Sequence, residues 1–97
     1  MPAGTSGNRG NLFTPLDDVA VTNAATLLRA ANDDRFALIL TNHSDTVHIR
    51  IGDATVTATR GVRLYAGASM TVTATSSIYA ISEGANVTVS RSEELAG

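Results

Sequence analysis

Apolar and polar positions alternate along most of the chain, and the breaks in that alternation divide it into short segments. The strongest is Phe36-Ala37-Leu38-Ile39-Leu40-Thr41, apolar on both faces, as a mid-sheet strand packed on both sides would be. Asn42-His43-Ser44-Asp45 interrupts it. From Thr46 to Gly52 the alternation is strict, with Val47, Ile49 and Ile51 on one face and His48 and Arg50 on the other. Two such runs around a short polar break predict a β-hairpin at the centre of the domain.

The flanking segments follow the same period. Val19 to Thr22 predicts a strand. Ala25 to Ala31 contains good helix formers, but the turn signal Asn32-Asp33-Asp34 stops it early, so a strand paired with residues 35–41 fits better. Thr55 to Thr59 alternates after the Gly52-Asp53 turn, and Gly61 separates it from Val62-Arg63-Leu64-Tyr65. Beyond Gly67, Met70, Val72 and Ala74 share one face, and Ser69, Thr71, Thr73 and Thr75 the other, which predicts a half-exposed strand with hydroxyls outside. Ile78 to Ser82 and Asn86 to Ser90 complete the set, joined by Glu83-Gly84-Ala85. Seven to eight short strands without a long helix predict an all-β fold. The expected form is a small antiparallel β-sandwich, jelly-roll-like or immunoglobulin-like (Ig-like).

Pro2, Gly4, Gly7, Gly10 and Pro15 set residues 1–16 apart as an extended N-terminal arm that cannot repay its own ordering. It is either a disordered tail or an arm that orders on a neighbouring subunit, with Leu12, Phe13 and Leu16 as its anchors. Because the core pattern starts at Val19, removal of residues 1–16 is expected to leave the domain folded. The sandwich then spans residues 17–92, and residues 93–97 form a frayed tail in which Glu93 and Glu94 serve as solubilising charge.

Composition narrows the function. The 97 residues make one domain with a limited core, for which assembly with partners is a ready way to add buried area. The net charge of -2 gives no basic field for nucleic acid. All 7 cationic side chains are Arg, the residue favoured where side chains pair at interfaces. Without Cys there is no disulfide framework, and no apolar run suits a bilayer span or secretory leader, so synthesis in the cytoplasm is expected. His43, Asp45, His48 and Asp53 lie close in sequence, but a metal needs three or four ligands converging at about 2 Å, and turn and surface roles suit them better. No serine sits in Gly-x-Ser-x-Gly, Asp33-Asp34 lacks calcium-loop spacing, and no Gly-rich phosphate loop is present. The expectation is a protein that is not an enzyme, with no catalytic residue, metal or cofactor, no nucleic acid and no membrane.

The ordered set Ala31-Asn32-Asp33-Asp34-Arg35-Phe36 through Thr41-Asn42, Ser44-Asp45-Thr46, and Ile49-Arg50-Ile51-Gly52 resembles a family of small virion proteins of tailed bacteriophages. There an Asn-x-x-Arg turn leads into an apolar strand ending at Asn, and a later strand closes on Ile-Gly. Gly61-Val62-Arg63-Leu64, Gly67-Ala68-Ser69 and Ile78-Tyr79-Ala80-Ile81-Ser82 continue the likeness, which covers roughly residues 25–90. His48 and Arg50 stand where relatives often carry an aromatic before Ile-Gly, and Tyr65-Ala66-Gly67 replaces a common Pro-Gly turn. The resemblance implies a β-sandwich component of the particle: a capsid decoration or cement protein that bridges adjacent major capsid protein subunits. Its partners would be that capsid protein and copies of itself, as trimer or dimer, and its location the capsid surface of the virion. A tail, fibre or baseplate adaptor, or a host-surface carbohydrate-binding module, is the alternative. Contact residues expected on this reading are Leu12, Phe13, Leu16, His48, Arg50, Arg63, Tyr65, Thr71, Thr73 and Tyr79.

Overall fold

A computed structural model describes residues 12–96. It contains eight strands: β1 (Leu12–Val21), β2 (Thr26–Arg29), β3 (Arg35–Asn42), β4 (Ile49–Gly52), β5 (Val62–Leu64), β6 (Ser69–Val72), β7 (Ile78–Ser82) and β8 (Val87–Leu95). They form two four-stranded antiparallel sheets, β1-β8-β3-β6 and β2-β7-β4-β5. The pairings β1·β8, β2·β7, β3·β6 and β4·β5 describe one long antiparallel ribbon folded at β4–β5 and rolled up, with β8·β3 and β7·β4 closing the roll. Among the expected sandwiches this is the jelly roll.

That topology replaces the expected central hairpin. β3 and β4 do not pair; they lie in opposite sheets. Leu38 and Leu40 from one and Ile49 and Ile51 from the other bury against the same core from its two sides. A hairpin would put both strands in one sheet and leave that core without its second layer. Asn42 holds the crossing. Fully buried, it donates from Nδ2 to the carbonyls of Val47 and Leu64 at 3.0 and 3.2 Å and accepts from the Ser44 N–H at 2.9 Å. The Ser44 hydroxyl then accepts from the N–H groups of Thr46 and Val47, so the crossing segment's polar groups are matched locally.

Other expectations shift with the roll. β2 is a strand, as the turn at residues 32–34 indicated, but its partner is β7 and not residues 35–41. β3 is central in its sheet yet packed on one face only, with Ile39 and Thr41 half-buried and Phe36 exposed. Residues 55–59 are a turn and not a strand. The Asp53 carboxylate accepts from both the N–H and the hydroxyl of Thr55, and the Val56 N–H donates to the Asp53 carbonyl. These local bonds curl the segment and bury Val56 alone. Gly61 closes the turn at φ 128°, where a Cβ would lie 2.8 Å from the Ile51 carbonyl oxygen.

Both predicted domain boundaries fall inside strands. Leu12 to Leu16 belong to β1, paired with Arg91 to Leu95 of β8, so removing residues 1–16 would cut into a sheet. The rest of the expected arm lies outside the described residues. β1 is an edge strand, and it tolerates Pro15 for that reason. Its register shifts between Leu16 and Val19, which places Asp17 and Asp18, both exposed, at a bulge that discourages further strand pairing.

At the other boundary, Glu93 is not tail charge but a fully buried member of β8. Its carboxylate accepts from Arg29 at 2.9 and 3.1 Å and from Arg35 at 2.8 Å. Arg35, also buried, donates onward to the carbonyls of Ala30, Ala74 and Ser76. One guanidinium thus ties β8 to the loops before β3 and after β6, closing that end of the sandwich. Burial, the largest single influence, pushes the Glu93 carboxyl up, but the hydrogen bonds from Arg29 and Arg35 outweigh it and hold the group below its ordinary range.

Candidate functional site

The outer face of the β2-β7-β4-β5 sheet carries half of the predicted contact residues: His48, Arg50, Arg63, Tyr65 and Tyr79. Strand parity puts Ile49, Ile51, Leu64, Ile78 and Ala80 inward, so their neighbours Arg50, Arg63, Tyr79 and Ile81 point out. Register lines these up in rows: Leu27 beside Tyr79, and Ile81 beside Arg50 beside Arg63. His48 and Tyr65 add a third row, their rings 4.9 Å apart. The Arg63 guanidinium carbon lies 5.1 Å above the Tyr65 ring, a cation–π geometry.

Glu83 organises this face. Its carboxylate accepts from Arg50 Nε at 2.9 Å and from Arg63 Nε and Nη2 at 2.9 and 2.6 Å. Arg50 also donates to the Gly61 carbonyl, which orients it along the sheet. The hydrogen bond from Arg63, reinforced by Arg50, holds the Glu83 carboxyl below its ordinary range, and the same bond raises Arg63. Two cations against one anion leave the cluster one positive charge in excess. Each guanidinium keeps N–H groups that Glu83 does not use.

His48 is oriented by the backbone. Its Nδ1 accepts from the Ala66 N–H at 2.9 Å, which requires the neutral ring to carry its proton on Nε2. His43, predicted nearby in sequence, instead contacts the Ser90 hydroxyl in the other sheet. Among the described residues no group of three or more His, Cys, Asp or Glu is placed to hold a metal.

The remaining predicted residues go elsewhere. Thr71 lies on β6, the edge of the other sheet, and Thr73 just beyond its end; both are exposed. Leu16 packs half-buried against the core and does not present an anchor, whereas Leu12 and Phe13 are exposed. Glu83 was missed as a contact residue because its partners stand 33 and 20 positions away along the chain, so no local pattern announces it.

Compared with known protein families, with characterised proteins and with solved structures, the chain has no match in any of the three.

Proposed function

We propose that this protein is a non-enzymatic structural component of a tailed-bacteriophage particle. In this reading it is a capsid decoration or cement protein that lies across the boundary between adjacent major capsid subunits. The observation that carries the reading is the Arg50–Glu83–Arg63 cluster with Tyr65, His48 and Tyr79 on one sheet face. Arg and Tyr are the residues that dominate protein interfaces, because they bring large contact area and directed donors together. Glu83 fixes both guanidiniums in advance, so little side-chain freedom is lost on docking. The partner surface that fits offers carboxylates or backbone carbonyls to the unused N–H groups. The sequence resemblance supplies the particle; fold alone would not, since jelly rolls serve unrelated functions.

The mechanism is mechanical. A sheet whose backbone bonds are already made resists bending, and many copies acting together sum weak contacts into a strong shell-wide effect. Purified protein mixed with expanded capsids should co-sediment with them to a fixed copy number and should not bind free glycans. Retention on tails alone would favour the adaptor role. Glycan binding without particle association would contradict the structural role and point to Tyr65 and Tyr79 as a sugar platform.

A further inference from the structure

The two flanks of the sandwich differ in shape. On one flank, between β5 and β6, the sheets leave an open cleft of about 260 Å³ lined by Ile51, Val62, Met70, Val72, Ala74 and Ile78. Both bordering strands are sheet edges, and Val62 is 60% exposed. The opposite flank is bounded by β1 and β2 and projects apolar side chains: Leu12 is 59% and Phe13 64% exposed. Arg91 bridges the two sheets on that side by donating to the carbonyls of Asp17 and Leu28.

Charge follows the same division. Asp17 and Asp18 are exposed on the β1 flank, and Glu94 is the register partner of Phe13. Arg60 is exposed on the β5 flank, whereas Arg63 is tied to Glu83 on the outer face. Asp53, the carboxylate nearest the cleft, is occupied by Thr55, whose hydrogen bonds lower its pKa.

We infer that the β5/β6 cleft receives the Leu12–Phe13 projection of a second copy of this chain. The contact is heterologous, with β1 of one molecule docked to the β5/β6 flank of the next. An apolar projection and an apolar cleft on opposite flanks of one molecule cannot satisfy each other within that molecule. Repeated from copy to copy they generate a ring where the rotation closes and a chain where it does not. Asp17 and Asp18 of one copy then approach Arg60 of the next, which favours this orientation. The face bearing Arg50 and Arg63 stays free, so this self-association does not depend on the capsid reading and fails or succeeds separately from it.

Sedimentation of the purified protein over a range up to millimolar concentration tests it. The parent should form oligomers. Phe13→Asp, at an exposed site, and Ala74→Trp, which fills the cleft from its exposed rim, should each weaken association at least about tenfold. Their melting curves should stay cooperative. The decisive arm mixes the two variants. Phe13→Asp keeps its cleft and Ala74→Trp keeps its projection, so a one-to-one mixture should give dimers that grow no further. A parent that stays monomeric throughout would overturn the inference. So would oligomers untouched by both variants, or a mixture that forms no heterodimer. Loss of capsid binding in Ala74→Trp with self-association intact would also overturn it, by assigning the cleft to the shell protein.

Discussion

Glu93 and Glu83 each hold two guanidinium groups, one inside the sandwich and the other on its outer face. The chemistry of the two clusters is alike; the solvent is not. Glu93 and Arg35 are fully withdrawn from water, and every donor they align closes the end of the roll. Glu83 sits beside half-exposed arginines, where water and salt weaken each pair but leave the side chains oriented. The inner triad therefore belongs to stability, and the outer one is left as the candidate for recognition.

The comparison breaks most easily at Glu93. Glu93→Gln leaves two arginines, one of them buried, without a counter-charge, and should cost about 3 to 5 kcal/mol. Against a folding free energy of about 5 to 15 kcal/mol that is a large share, so the denaturant midpoint should fall sharply. A loss below about 1 kcal/mol would mean that the inner triad is not structural. Next in size is the pair Arg35→Met with Glu93→Leu, which strands no buried charge of its own. It should still lose about 1 to 3 kcal/mol, because the carbonyls of Ala30, Ala74 and Ser76 lose their donor.

Acid separates the clusters differently. Both carboxyls are held below their ordinary range, so each contributes stability above that range and loses it as pH falls through its lowered folded value. Stability should therefore fall below about pH 4, given the ordinary glutamate value. At about 1 M salt the Glu83 share should vanish while the Glu93 share remains. Equal salt sensitivity in thermal melts of Glu83→Gln and of the parent at neutral pH would remove this distinction. The smallest stability effect is expected for Glu83→Gln itself, a melting shift under about 5 °C.

How much of this could be read from the chain depends on how far apart the interacting residues lie. Ile78–Ser82 appears as a strand with the bounds read from its pattern, and the parity of Ile49, Arg50 and Ile51 holds. Those features are local. Pairing is not: the same alternation serves a hairpin or a crossing between sheets, and the choice at Asn42 rests on Leu64, 22 positions on. Thr55 to Thr59 misled because the Asp53–Thr55 bonds curl a pattern that would otherwise suit a strand. Glu93 looked like tail charge since Arg29 and Arg35 stand 64 and 58 positions earlier. On the candidate face, sequence parity located Arg50 and His48, and only the fold could bring Arg63, Tyr65 and Tyr79 beside them.

The central claim, that the face organised by Glu83 is the docking surface, is tested most directly by capsid occupancy of an Arg50→Ala/Arg63→Ala variant. Expanded capsids saturated with parent or variant would be sedimented and the bound copies counted against a common melting curve. The account predicts unchanged melting and binding weakened at least about tenfold. Parent-level occupancy by a folded variant would contradict it.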